Sequence, residues 1–316
     1  MKKGALIAII LGTTLLVGGA VVFAIGLATA PKEVATSNTY TIEDSFNSFD
    51  IDVGVSDVVF TKSEDGSSKI ICDETDKIFH TVTTADNVLK ISQRDDRVWY
   101  NHIFNINFVN CKVTIAIPEG EYSSLTIKNS TGNVVIPHDF SFDSMNVSLS
   151  TGNADIKSNV INDAVVKVST GNINLSSLTA KNLNVESSTG NILIQDVAVT
   201  GDINLKASTG HIHTNKLTGN NLVVKTSTGY VKLTDTVLTN NITIETDTGD
   251  VRIEDSDAET LKITTHTGDV TGTLLTSKIF YVETSTGHAN YPHSTEGGLC
   301  EIKTKTGDVN ISIKGN

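Results

Sequence analysis

Residues 182–194 read Asn-Leu-Asn-Val-Glu-Ser-Ser-Thr-Gly-Asn-Ile-Leu-Ile, and residues 202–214 read Asp-Ile-Asn-Leu-Lys-Ala-Ser-Thr-Gly-His-Ile-His-Thr. Counted from the glycine, apolar residues stand seven and five positions before it, at Leu183 and Val185 and again at Ile203 and Leu205. Ile192 and Ile194 stand two and four positions after it. A spacing of two puts the apolar residues on one face of a strand and the polar ones on the other. Each segment therefore predicts two short half-buried strands joined by a bend at the glycine.

The same pattern extends outward. Ten Thr-Gly pairs place glycines at Gly132, Gly152, Gly171, Gly190, Gly210, Gly229, Gly249, Gly268, Gly287 and Gly307, at intervals of 19 or 20 residues. A period that tight signals stacked repeats in which one unit leans on the next. The bend needs a positive φ, which glycine reaches without steric cost. The next residue is Asn or Asp in seven of ten copies, types that tolerate the left-handed region and bond their own backbone. Hairpins would alternate direction and would not require identical columns. Residues from about 122 to 316 are therefore predicted to form a right-handed parallel β-solenoid of ten coils, roughly 45–50 Å long at about 4.8 Å per coil.

In that register like residues form columns. Lys167, Glu186 and Lys206 share one outward column, which predicts opposite charges side by side. The threonine before each glycine, and a second column at Thr226, Thr246, Thr265, Thr284 and Thr304, share the parity of the apolar positions. Both are expected to point inward, which argues against a flat outward Thr-x-Thr face of the ice-binding kind.

The chain carries 36 acidic and 24 basic residues, and without Lys2 and Lys3 the balance is 36 against 22, or −14. Such acidity disfavours nucleic acid and anionic lipid as partners. Residues 4–28 are uncharged, giving 25 residues or about 37 Å of helix against a hydrocarbon core near 30 Å. With Lys2 and Lys3 before that segment and Lys32 offset by Glu33, residues 1–3 are expected in the cytoplasm and the remainder outside. The expected localisation is thus the cell membrane, single-pass, anchored in the bilayer through residues 4–28. Ala28-Thr29-Ala30 offers the alternative of a cleaved signal peptide. Residues 29–45 read as a linker. Residues 46–121 read as an irregular β region capping the solenoid, with strands at 69–72, 88–92 and 111–117 and large side chains Phe79, Trp99, Tyr100, Phe104 and Phe108. Regular repeats fill 122–316.

The lysine-led anchor, Phe-Asp-Ile-Asp-Val-Gly-Val-Ser-Asp-Val from Phe49, Ile-Ala-Ile-Pro ending at Pro118, Tyr-Ser-Ser-Leu-Thr-Ile from Tyr122 and the serial Ser-Thr-Gly-Asn or Thr-Gly-Asp coils resemble a known family. It is the bacterial putative-adhesin family of β-strand-repeat proteins, a domain of unknown function. The resemblance covers nearly the whole chain and implies fold rather than activity. Some members are linked to cell-envelope stress responses, and the family brings no catalytic residues.

Site chemistry is sparse. Cys111 and Cys300 sit at inward positions, and Cys72 could meet Cys111 in a disulfide if their strands pair. His211 and His288 share a column, read as four coils apart, too far for one metal ion. Asp247, Asp250, Asp255, Asp257 and Asp269 form the densest acidic stretch without a glycine-rich calcium repeat. No catalytic, cofactor-binding or metal residues are assigned, and no cofactor is expected. The sequence is read as a non-enzymatic, membrane-anchored extracellular β-solenoid, an adhesin-like binding or scaffolding module for an envelope or extracellular ligand. One alternative is an accessory or sensor of an envelope-stress response acting through a membrane-protein partner. A lesser one is a β-helix polysaccharide-active enzyme.

Overall fold

The computed structural model describes residues 35–97 and 111–315. The expected anchor at 4–28 lies outside them, as do Trp99, Tyr100, Phe104 and Phe108. The described residues form 27 strands and no helix, as a β-solenoid of stacked coils.

The Gly190 coil shows how one turn closes. Asn182–Thr189 runs into the glycine corner, and Ile192–Val199 follows it. Leu183, Val185 and Ser187 point inward before the corner and Ile192 and Ile194 after it. The second strand then bends at Asp196, φ 52°, and a third short run buries Val197 and Val199. The bend recurs at Ser177, Lys216, Asp235 and Asp255, all at positive φ. The sequence pattern showed two strands per coil and missed this third run, because the bend carries no constant residue type. Burying each Val, Leu or Ile contributes roughly 1.5–3 kcal/mol, so the stack rests on its inward columns.

Coils pair in parallel and in register: Lys167 lies beside Glu186, and Glu186 beside Lys206. At the corner the glycines adopt φ between 137° and 151°, where non-glycine residues are strained. A Cβ at Gly229 would also overlap the carbonyl oxygen of Gly210 in the neighbouring coil. The residue after each glycine does not use a left-handed backbone as expected. In most coils its side chain instead accepts the amide of the next coil: Asn153 N–H donates to Asn133 Oδ1, Asn172 to Asn153, Asn191 to Asn172 and His211 to Asn191, each at 2.9 Å. Tyr230 N–H donates to His211 Nδ1 at 3.1 Å under a stacked ring pair.

The two threonine columns part company. Thr226, Thr246, Thr265 and Thr304 are buried as expected, and Thr226 and Thr265 donate to the glycine carbonyls of neighbouring coils at 3.4 Å. The threonines directly before the glycines are exposed in all ten coils. The chain begins to turn the corner there, so two consecutive residues face outward and strand parity fails.

Chain order and stacking order differ at both ends. In the C-terminal part, Thr260–Thr267 pairs with Gly298–Thr306, which pairs in turn with Lys278–Thr286. The Gly307 coil is therefore inserted between the Gly268 and Gly287 coils. Each coil was expected to stack on the one before it, and the insertion moves His288 five coils from His211 rather than four. Lys278, at the start of the outermost strand, is buried and pairs with buried Asp257 at 2.7 Å. Asp257 also accepts Thr276 N–H and Oγ1–H at 2.7 Å.

At the N-terminal end we number eight strands: β1 (Thr36–Ile42), β2 (Ser48–Val53), β3 (Ser56–Lys62), β4 (Ser68–Glu74), β5 (Ile78–Ala85), β6 (Val88–Asp95), β7 (Cys111–Ile117) and β8 (Gly120–Thr131). The coil made by β2 and β3 sits between β8 and its following strand on one side and β6 and β7 on the other. Antiparallel partners then cover that end, β5 on β6, β4 on β7 and β1 on β4. Residues 29–45, read as a linker, thus include a strand. Its Thr- and Ser-rich sequence hid it, although Tyr40 and Ile42 pack on the core. Phe79 is 37% exposed, so it is not a buried element of the cap. The aromatic cluster beneath comprises Phe46, Phe49, Phe60, Tyr122, Phe140 and Phe142. Cys72 stands opposite Val113 rather than Cys111, so the strand pairing does not set the two thiols against each other, and all three cysteines are buried.

Candidate functional site

The face formed by the strands before the glycines carries hydrogen-bonded polar columns. Eight positions before the glycine, Asp163, Asn182, Asp202, Asn221 and Asn241 form one column. Within it Asn182 donates to Asp163, Asn221 to Asp202 and Asn241 to Asn221, each at 2.8 Å. Asn204 donates to Asn184 at 3.2 Å in the adjacent column. Each side chain is held by its neighbour above or below, so the face is pre-ordered. All of these except Asp163 line an open groove of about 760 Å3 together with Val223 and Thr243.

Nearer the glycine corner a second hollow of about 310 Å3 is lined by Lys206, Lys225, Ser227, Glu245, Asp247 and His266. Lys167 pairs with Glu186 at 3.3 Å, as their shared column predicted, and Lys225 pairs with Glu245 at 2.7 Å. On the face after the glycines, Glu254 joins Lys232 at 2.8 Å and Arg252 at 2.6 Å. Its hydrogen bond to Lys232 holds the carboxyl below its usual range. Burial, with the Lys232 charge second, pushes His213 below the ordinary imidazole value.

The acidic stretch disperses. Asp257 is buried against Lys278, Asp255 pairs with Lys314 at 2.8 Å, Asp250 accepts the Asp269 amide at 2.9 Å, and Asp247 lies 3.5 Å from His266. The regular columns send these carboxylates to different faces. His211, His266 and His288 likewise do not converge.

One cluster escaped the sequence reading. Cys72, Glu74 and His80 are all buried at the N-terminal cap, with a ligating atom from each within 4.8 Å of the others. Alternation along β4 puts Cys72 and Glu74 on one face, and the turn into β5 returns His80 to it. His80 Nδ1 lies 3.3 Å from Glu74 Oε1, and Nε2 lies 3.3 Å from Ser56 Oγ. Glu74 also accepts from the His80 backbone at 2.5 Å and from Tyr40 at 3.4 Å, and Asn38 donates to its second oxygen. Burial pushes His80 below the usual imidazole value, outweighing the opposing pull of Glu74. Burial pushes the Cys72 thiol up to about 12. The two-residue spacing of Cys72 and Glu74 was a signal, but nothing in the sequence tied His80 to them.

No curated protein matches the chain. Among solved structures, a putative adhesin from Bacteroides fragilis is 18% identical with a TM-score of 0.42, covering 88% of this chain and 96% of that one. A putative adhesin from Parabacteroides distasonis is 13% identical with a TM-score of 0.43, and a putative lipid binding protein from the same organism is 14% identical with a TM-score of 0.41. Both cover 88% of this chain and 96% of theirs. The Toastrack DUF4097 family matches residues 46–216 and again 198–316, so this β-solenoid chain belongs to that family.

Proposed function

We propose that the protein is a non-catalytic binding or scaffolding module, anchored in the cell membrane through residues 4–28 and displaying its solenoid outside the cell. The observation that carries this reading is the pre-ordered Asn and Asp face, whose columns repeat at one coil spacing and line an open groove. Amide and carboxylate groups at about 4.8 Å intervals suit an extended, hydroxyl-rich ligand such as an envelope glycan. Charged side chains nearby sit in neighbouring pairs, an arrangement suited to a stable surface rather than to proton transfer.

The test is co-sedimentation of the full chain with isolated envelope polymer, comparing wild type with Asn204→Trp, which fills the groove. Retention of wild type and loss of the variant at unchanged melting temperature is expected. Equal retention of both would remove the groove from the account. Failure of both to bind, with in-cell crosslinking that recovers a membrane protein near residues 4–45, would favour the accessory or sensor role instead.

A further inference from the structure

We infer that Cys72, Glu74 and His80 form a binding site for a divalent transition-metal ion of the zinc type in the N-terminal cap. The three side chains supply sulfur, oxygen and nitrogen from one small buried volume, with ligating atoms mutually within 4.8 Å. Three such atoms can close on one ion at about 2.0–2.3 Å with small side-chain adjustments. A thiolate beside an imidazole and a carboxylate selects zinc-like ions over calcium or magnesium, which take oxygen ligands.

Charge balance supports the assignment. A buried carboxylate needs a positive partner or a dense set of donors. Glu74 has His80 beside it and accepts from Asn38, Tyr40 and the His80 backbone, and a divalent ion would add a full positive partner. Binding of M2+ would release the Cys72 thiol proton to solvent and form a sulfur–metal bond. Thiolate and carboxylate then carry two negative charges against two positive ones, leaving the buried site neutral. Both ring nitrogens of His80 have partners that allow this role. Its Nε2 faces Ser56 Oγ at 3.3 Å, while Nδ1 faces Glu74. Before an ion enters, Nδ1–H donates to Glu74; with the ion seated between Nδ1 and Glu74, the imidazole proton would move to Nε2 and donate to the serine, the outer-partner arrangement common for ligating histidines. Three protein ligands leave a fourth tetrahedral position for water.

The site would clamp β4 to β5, which lie next to each other without a strand ladder. It would also fix them over the first coil through Ser56 of β3. The role is structural and independent of the polar face proposed for binding.

The test is titration of the full chain, purified under reducing conditions and stripped with chelator, with Co2+ as spectroscopic probe and Zn2+ as competitor. One Co2+ per chain, with sulfur-to-cobalt charge-transfer absorption displaced by Zn2+, is expected. Cys72→Ser should abolish the charge-transfer band, and Cys300→Ser should leave it intact. Glu74→Gln, which keeps the shape of the side chain, should still fold and weaken binding, and Ser56→Ala should weaken it by roughly 10–100-fold. Absence of stoichiometric binding by wild type, or a band that survives Cys72→Ser, would overturn the assignment. The wild-type titration decides this even where a variant fails to fold.

Discussion

At the residue scale, each corner is set by what its glycine lacks. Gly229 combines φ 147° with the Gly210 carbonyl oxygen occupying the place of a side chain. Gly229→Ala should therefore add backbone strain on the order of 1–3 kcal/mol to an overlap that only movement of the neighbouring coil relieves. Lys225→Ala on the same coil removes one exposed ion pair and should change stability by less than about 1 kcal/mol. Denaturant melts of the two variants check the order, and equal midpoints would contradict the corner. The Glu254 pair has a pH signature. Its folded pKa lies below the unfolded one, so its stabilisation is present at neutral pH, where the carboxylate is ionised in both states. It fades as pH falls from about 4.3 through the folded value. Wild type should exceed Glu254→Gln in stability at pH 7 by less than about 1 kcal/mol. The two should converge in acid, which melts across pH 3–7 would show.

At the element scale, the outermost strand Lys278–Thr286 is held by a buried ion pair that links it across the inserted coil to Asp257. Removing one partner leaves an uncompensated buried charge, so Lys278→Met should cost about 3–5 kcal/mol. That far exceeds truncation of an exposed lysine such as Lys167, and thermal melts compare the two. The strand pattern was legible because Leu183, Val185, Ile192 and Ile194 recur coil after coil in fixed columns. The bend at Asp196 was not, since Ser, Asp and Lys all occupy it and no apolar or glycine signal marks it. The inward reading of Thr226 held. Thr228, two residues on, faces solvent because the corner begins before the glycine. The cap cluster stayed hidden for a related reason: Cys72 and Glu74 share a strand face, but His80 reaches them only through a turn whose course the sequence does not encode as a repeat.

At the scale of the whole molecule, the solenoid is a continuous stack whose two end coils are out of chain order. The 19- and 20-residue spacing that revealed the repeats is blind to this, since Gly287 and Gly307 keep the same period wherever their coils dock. A trace existed in retrospect. The Gly287 coil has Ala289 and Tyr291 where most others have two aliphatic residues, and its second strand is only Ala289–Asn290, as suits a coil with no neighbour beyond it. The stacking order is tested most directly by paired cysteines on the exposed face. Thr264 lies beside Lys303, and Lys303 beside Glu283, so Thr264 and Glu283 are two strands, about 9.6 Å, apart. Under mild oxidation the Thr264→Cys, Lys303→Cys protein should form an internal disulfide, within the Cα separation such bonds require, and the Thr264→Cys, Glu283→Cys protein should not. Rapid crosslinking of the second pair with none in the first would show coils stacked in chain order and contradict the fold described for the C-terminal end.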